Sequence, residues 1–457
     1  FYDWLWLGVY PEREDRSFGL YSWFARPYDE VAYAAPYYLI FKAAGNDRSD
    51  PAPLAGETFY YFDPATGQLV SKAYDPNTDP YADGYEDGTW DTGAGFDTIS
   101  DFGISKNVLT VGAVDDAVSG GERYVPGAEM SYFSGWGPAD DGRIKPDIVA
   151  NGVDLYSPVA ETDSAYDIYS GTSMATPNAC GSAVLLIEYY NSLFPAEAMR
   201  ASTLKALIIH TADDIENLNY SNPGPDYSFG WGLMNTQAAA DVIKSHHDSL
   251  TANSIVESVR GSDEPVPTEF IFTWDGVSPI RATLCWTDPP GPPMDALDDR
   301  TPVLVNDLDL RIVPQSAPTS VHYPYKLDPL NPSAAATTAG ENDVDNVEQV
   351  YIPSPGTAGA YTAQIDHDGS LTDGLQRFSL ILTGQIPDTL QVDPNTILLF
   401  EGNVGEGPYL PVEGYPYTLQ NTSAESLSWT ASVSQPWLEV APSSGTLDPG
   451  ATDTVTV

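Results

Sequence analysis

The sequence predicts a multidomain chain: an α/β domain built on a parallel sheet, then an all-β barrel, then a shorter all-β module that is truncated. Three observations carry this. In the first half, apolar strand-like runs alternate with helical patterns, as in a parallel sheet with crossover helices. After Ser249 the helical period disappears, and short alternating runs follow, separated by Gly, Pro, Asn and Asp. At 457 residues, against roughly 150 per domain, the chain has the length for about three domains, and its 38 Gly and 39 Pro supply many turns.

Residues 37–44 and 107–114 read as strands, and 175–190, 202–211 and 235–243 as helices, which places the α/β domain at 1–248. Runs at 270–272, 282–286, 303–312, 347–352, 361–365 and 378–383 predict an antiparallel jelly-roll-like barrel or sandwich over 249–386. A linker-like stretch from Pro387 opens the third module, 387–457, with runs at 417–419, 427–429, 437–438 and 454–457.

Sixty-five acids against 19 bases give a net charge of −46, which repels phosphate backbones and anionic lipid and argues against nucleic-acid partners. Hard cations choose oxygen ligands, so some of these carboxylates are candidates for holding calcium. No apolar run reaches the ~18 residues of a spanning helix, so no membrane span is expected. Cys180 and Cys285 fall in different predicted domains and are not expected to pair. The acidic run 75–88 spaces its carboxylates like a cation loop, but Pro80 stands where an EF-hand needs glycine, so it reads as a surface loop.

The string Tyr-Ser-Gly-Thr-Ser-Met-Ala-Thr-Pro over 169–177 is the strongest chemical signal. Gly171 lets backbone approach closely, Ser173 stands at the positive end of a helix, and Pro177 is expected in its first turn. There the Ser173 amide can donate to a developing oxyanion while the hydroxyl attacks a carbonyl carbon. A capping serine alone would be commoner, but the full string is more specific than a cap.

This string resembles the nucleophile motif of the subtilases, the subtilisin-like serine proteases, and the resemblance extends further. Phe-Lys-Ala-Ala-Gly-Asn at 41–46 is similar to the family segment whose asparagine completes the oxyanion hole and whose backbone borders the S1 pocket. The resemblance therefore implies Ser173 as nucleophile, Asn46 as oxyanion donor, and Ala43, Ala44, Gly45, Gly171 and Thr172 as substrate-binding. Segments 107–113, 133–138, 141–147 and 230–235 match framework stretches in family order. It also implies a protein or peptide substrate and a secreted, extracellular setting.

Leu-Cys-Trp-Thr-Asp at 284–288, Leu-Val-Asn-Asp-Leu-Asp-Leu at 304–310 and Asn-Val-Glu at 346–348 resemble the calcium-binding β-barrel that follows the catalytic domain in one group of bacterial subtilases. By that resemblance Asp288, Asp307 and Asp309 are candidate calcium ligands; the plainer reading is that Asp307 and Asp309 share a solvated strand face. The last module resembles the immunoglobulin-like, BACON-type domains of secreted bacterial enzymes. Some of these bind carbohydrate, so Trp429 and Trp437 could stack a glycan, but core positions suit them better.

The family order is Asp, His, Ser, yet no histidine precedes Ser173, and His210, His246, His247, His322 and His367 all lie in unrelated contexts. Asp-Thr-Gly at 91–93 follows Asn46 and lacks an apolar strand before it, so it reads as a turn. The expectation is an N-terminally truncated serine endopeptidase whose Asp and His lie upstream of Phe1, inactive as it stands. The alternatives are a catalytically dead scaffold, or an enzyme targeted to glycans by its last module.

Overall fold

The computed structural model describes residues 4–6, 8–12, 15–49, 53–79, 95–216, 222–248, 254–354, 356–386, 390–393, 414–421, 426–433 and 439–457. Its first core is a parallel sheet in the order Phe41–Ala43, Leu109–Val114, Ile148–Asn151. The middle strand is buried at all six positions, as the near-continuous apolar run of a doubly covered strand requires. Four helices accompany it: α1 (Arg26–Ala34), α2 (Thr172–Leu193), α3 (Ala201–Thr211) and α4 (Thr236–Asp248).

Helix α2 lies on the sheet through Ala175, Ala179, Ala183, Leu186 and Tyr190, which recur at three and four residues and so share one face. Alanines at the first three positions let the helix approach closely. Pro177 is the sixth helical residue, inside the helix rather than in its first turn. Its missing amide leaves the Ser173 carbonyl without the usual i+4 donor.

The second unit is a sandwich of two open antiparallel sheets, not a closed barrel. One runs Ile255–Gly261, Leu375–Thr383, Ile280–Trp286, Val347–Ile352; the other runs Asp307–Pro314, Gly359–Asp368, Thr268–Trp274, Gln385–Ile386. No ladder joins the two among the described residues, so they meet only through side chains, with Trp274, Trp286, Leu308, Leu310, Ile365 and Phe378 fully buried between them. The sequence pattern does not mark the strand Ile255–Gly261, because its Glu257 and Arg260 interrupt the alternation. Both are anchored: Glu257 accepts from the Arg200 amide at 3.1 Å, and Arg260 meets Asp366 at 2.8 Å.

The sandwich is built onto α3. Every residue of that helix is buried, and one continuous core runs from the parallel sheet through Leu204, Leu207 and Ile208 to Ile255, Cys285, Val347 and Ile381. Cys285 is buried and Cys180 half-buried, and both thiols are free. In the seam, His210 places Nδ1 at 3.0 Å from the Thr283 hydroxyl and Nε2 at 2.9 Å from that of Thr383.

Burial, helped by the Arg281 guanidinium, holds the His210 imidazole well below its ordinary value, so it folds neutral. The unfolded chain takes up a proton there below about pH 6.5 and the folded chain does not, so stability is full above that pH and lost as pH falls. Urea titrations between pH 7 and 5 should show His210→Gln removing a dependence of up to roughly 1.4 kcal/mol per pH unit. Identical slopes in the two proteins would reject the assignment.

The third unit pairs Leu390–Asp393, Pro416–Asn421 and Thr452–Thr456 in one sheet and Leu427–Thr430 with Ser444–Leu447 in a hairpin. Trp429 is buried there with Leu419, Leu447 and Val455, as a core residue. Trp437 lies outside the described residues, as do 91–93 and most of the acidic run. Of that run, Asp79 is fully buried and pinned by Lys72 at 2.7 Å and the Asp75 amide at 2.8 Å.

Candidate active site

Two chain turns build the site. The first leaves the strand Phe41–Ala43. Ala44 is fully buried and its amide bonds the Val111 carbonyl at 3.0 Å, so its side chain faces the core and only its backbone is placed to border a substrate. Gly45 adopts a φ of +99°, which turns the chain so that Asn46 emerges into solvent. The loop is held from below: the Gly135 amide bonds the Gly45 carbonyl at 3.0 Å, and Arg48 donates to the Ser134 and Ser131 carbonyls at 2.7 Å each while lying over the Trp136 ring.

The second turn leads into α2. Gly171 has a φ of +153°, a region L side chains rarely enter, and backbone strain rather than crowding is what demands glycine. A Cβ there would meet its nearest atoms at 3.6 Å or more. The Gly171 carbonyl accepts from the amides of Met174 and Ala175 at 2.9 and 3.2 Å.

Thr172 ties the two turns together. Its amide and its hydroxyl each donate to Asn46 Oδ1 at 2.9 Å, and the Gly45 amide donates to the Thr172 hydroxyl at 3.2 Å. Two donors on one oxygen fix the orientation of the Asn46 amide, so its NH2 is left to donate outward. Thr172 itself is buried, which makes it a positioning residue rather than one that touches a ligand with its side chain.

Among the first helical amides of α2, those of Thr172, Met174 and Ala175 are spent within the protein, whereas the Ser173 amide has no acceptor among the described residues. Ser173 is exposed beside the equally exposed Asn46. An exposed hydroxyl and an unspent amide at a helix N-terminus thus follow directly on Thr172, the residue that holds Asn46, an arrangement suited to a tetrahedral oxyanion.

None of the five histidines attends Ser173. His210 is locked in the seam with the sandwich, and His246 and His247 contact the Phe194 ring at the far end of α2, about 30 Å along a helix of this length. His322 and His367 belong to the sandwich, facing Ile312 and Leu308 in its ladders.

Of the three predicted metal residues, Asp288 lies near enough to act on Asp307 but has protein partners of its own. Asp288 is fully buried and both its oxygens have donors: the Lys106 ammonium and the Val305 amide meet Oδ2, and the Asn306 amide meets Oδ1 at 2.8 Å. It is an anchor between units, not a free cation ligand. Asp307 and Asp309 lie on the strand Asp307–Pro314 beside Glu341, Asp343, Glu348 and Asp368. Asp309 is 2% exposed, so this is no solvated face, and Asp307 Oδ1, Asp309 Oδ2 and Glu348 Oε1 are buried without a donor among the described residues. Burial and the neighbouring acids push Asp307 up to about 8 and Asp309 to about 7. Glu348, which no spacing rule singled out as a ligand, accepts the Leu310 amide at 2.6 Å.

Residues 23–232 match the model of the subtilase family. The chain carries a subtilase domain. Residues 417–457 match a viral BACON domain. Over 212 residues the chain is 31% identical to the serine protease/ABC transporter B family protein tagA of Dictyostelium discoideum, covering 40% of this chain and 11% of that protein. It is 28% identical over 202 residues to pyrolysin of Pyrococcus furiosus, covering 38% and 14%. Among solved structures, sphericase is 20% identical over 46% of this chain and 52% of that one, with a TM-score of 0.29. The chain thus spans about a tenth of the length of these curated relatives. Ser173 and the Asn46 loop both fall inside the subtilase match.

Proposed function

We propose that this subtilase domain is the nucleophile-bearing part of a serine endopeptidase acting on protein or peptide substrates outside the cell. The observation that carries the reading is the locked Asn46 amide beside the unspent Ser173 amide, reached through Thr172. Ser173 Oγ attacks the scissile carbonyl, and the oxyanion is held by the Ser173 N–H and the Asn46 NH2. The amine leaves, and water then hydrolyses the acyl-enzyme. The hydroxyl proton needs a base, and since all five histidines are committed elsewhere, we assign that role to a histidine and its aspartate in polypeptide beyond these 457 residues.

The test is covalent labelling by a fluorophosphonate of a longer protein that contains these residues and supplies the base. An adduct on Ser173, lost in Ser173→Ala, is the expected result. A folded protein with neither adduct nor peptide cleavage would instead be a binding scaffold. Glycan targeting by the last module has no support from Trp429, which is core.

Calcium is part of the same proposal. The residues fit it: Asp307, Asp309 and Glu348 offer buried oxygens that lack donors among the described residues, with Glu341 and Asp343 alongside. A cation at about 100 times its dissociation constant stabilises by roughly 2.7 kcal/mol. Chelator should therefore lower the thermal midpoint by several degrees, less so in Asp309→Asn; an unchanged midpoint would remove the metal from this strand.

A further inference from the structure

A second group of acids, away from Ser173 and from the strand Asp307–Pro314, gathers three distant segments. Asp97, Asp140 and Asp298 each bring a carboxylate oxygen to one place, all within 4.8 Å of one another. Asp97 precedes the strip that braces the Asn46 loop: its amide bonds the Gly137 carbonyl at 2.9 Å, and Thr98 bonds both ways with Trp136. Asp140 receives its fixed position from Gly19, whose carbonyl accepts the Asp140 amide at 2.9 Å. Asp298 belongs to the loop that leaves the sandwich strand Ile280–Trp286 and crosses back to the subtilase domain, where the Met294 amide bonds the Tyr21 carbonyl at 2.8 Å.

Two features point to a ligand rather than to a solvated acidic patch. Asp140 is only 4% exposed, and its Oδ1 is buried with no donor among the described residues. Gly19, at a φ of +66°, marks where that oxygen points: a Cβ on it would stand 2.1 Å from Asp140 Oδ1 and 2.4 Å from Asp97 Oδ1. The two oxygens converge on one point against bare backbone. Arg300 sits on the flank, where its guanidinium donates to the Asp140 carbonyl at 2.8 Å and meets Asp298 at 3.4 Å, so a single positive charge faces three carboxylates.

We propose that Asp97, Asp140 and Asp298 form a divalent-cation site, of calcium type, that clips the subtilase domain to the returning sandwich loop. Three carboxylate oxygens suit a hard cation, which completes a shell of about six to eight with backbone oxygen or water. The cation holds residues 97–98 against 136–137, and through the Gly135 to Gly45 bond it steadies the turn that presents Asn46. The rival explanation is a proton shared between Asp97 and Asp140, which would quiet the same oxygens without a metal.

Calcium bound per chain, measured by elemental analysis after stripping with chelator and re-equilibration in calcium, separates the two. Asp298→Asn, an exposed position that should fold, and Asp140→Asn are each expected to bind one ion fewer than the parent protein, whereas Asp309→Asn keeps this ion. Under proton sharing, Asp140→Asn mimics the neutral acid and both variants bind as many ions as the parent, which overturns the proposal. Should Asp140→Asn fail to fold, the count for Asp298→Asn decides alone. The outcome is independent of calcium on Asp307 and Asp309.

Discussion

Alanine at Ser173, in a protein that supplies the general base, is expected to cut kcat by about 10⁶ while leaving substrate affinity nearly intact. The residual rate comes from the donors that remain, since a site stripped of its nucleophile still orients water and steadies charge, by roughly 10³ over solution. The donors themselves are graded by the geometry. Asn46→Leu removes one of two preorganised N–H groups and should cost about 10²–10³ in kcat with KM unchanged, because the oxyanion exists only past the ground state. Thr172→Val keeps the buried shape but deletes one of the two donors on Asn46 Oδ1. A loss of about tenfold is expected, the worth of one hydrogen bond. Steady-state kinetics on a peptide substrate reads all three. Equal losses for Asn46→Leu and Thr172→Val would mean that Asn46 serves the loop rather than the oxyanion.

The largest effect on stability is expected at Lys106. Its ammonium and the Asp288 carboxylate are both fully buried, and the remaining donors of Lys106 go to the Pro289 and Val303 carbonyls at 2.7 and 2.9 Å. Next to them, Asn107 exchanges two 2.8 Å bonds with the Asp288 backbone. Burial pushes the Asp288 carboxyl up, and the Lys106 charge opposes that. Lys106→Met leaves a buried carboxylate with no counter-charge and should destabilise by about 3–5 kcal/mol in urea titrations. Lys106→Met with Asp288→Asn should recover more than half of that, because the charge needing compensation is gone and the amide oxygen still accepts from Val305 or Asn306. A single-variant loss under about 1 kcal/mol would show that water, not the pair, solvates the seam.

What the sequence made legible was local. The string around Ser173 and the segment ending in Asn46 are short because the chemistry needs a fixed turn and a helix start, and both can be specified by neighbours in the chain. The alternation of strand and helix up to residue 248 was legible for the same reason. Partnerships across long separations were not. Asp288 reads as one of a calcium-like set until Lys106, 182 residues away, is seen to claim it. Asp97, Asp140 and Asp298 carry no spacing that a motif could express. Arg260 and Glu257 interrupt the apolar pattern of their strand because their partners lie on another strand and in α3. Pro177 was expected in the first turn on propensity, yet the helix starts earlier because Gly171 supplies the backbone angle that opens it.

The complete burial of α3 has a bearing on how such a protein can be divided. The change of sequence pattern near residue 249 invites a cut, but a subtilase domain trimmed there would present Ser202, Thr203, Leu207 and His210 to water along the side the sandwich covers. The border visible in the alphabet is not a border in the energetics. The sandwich travels with the subtilase domain as a single cooperative piece, and swapping it would mean redesigning a helix face along with it.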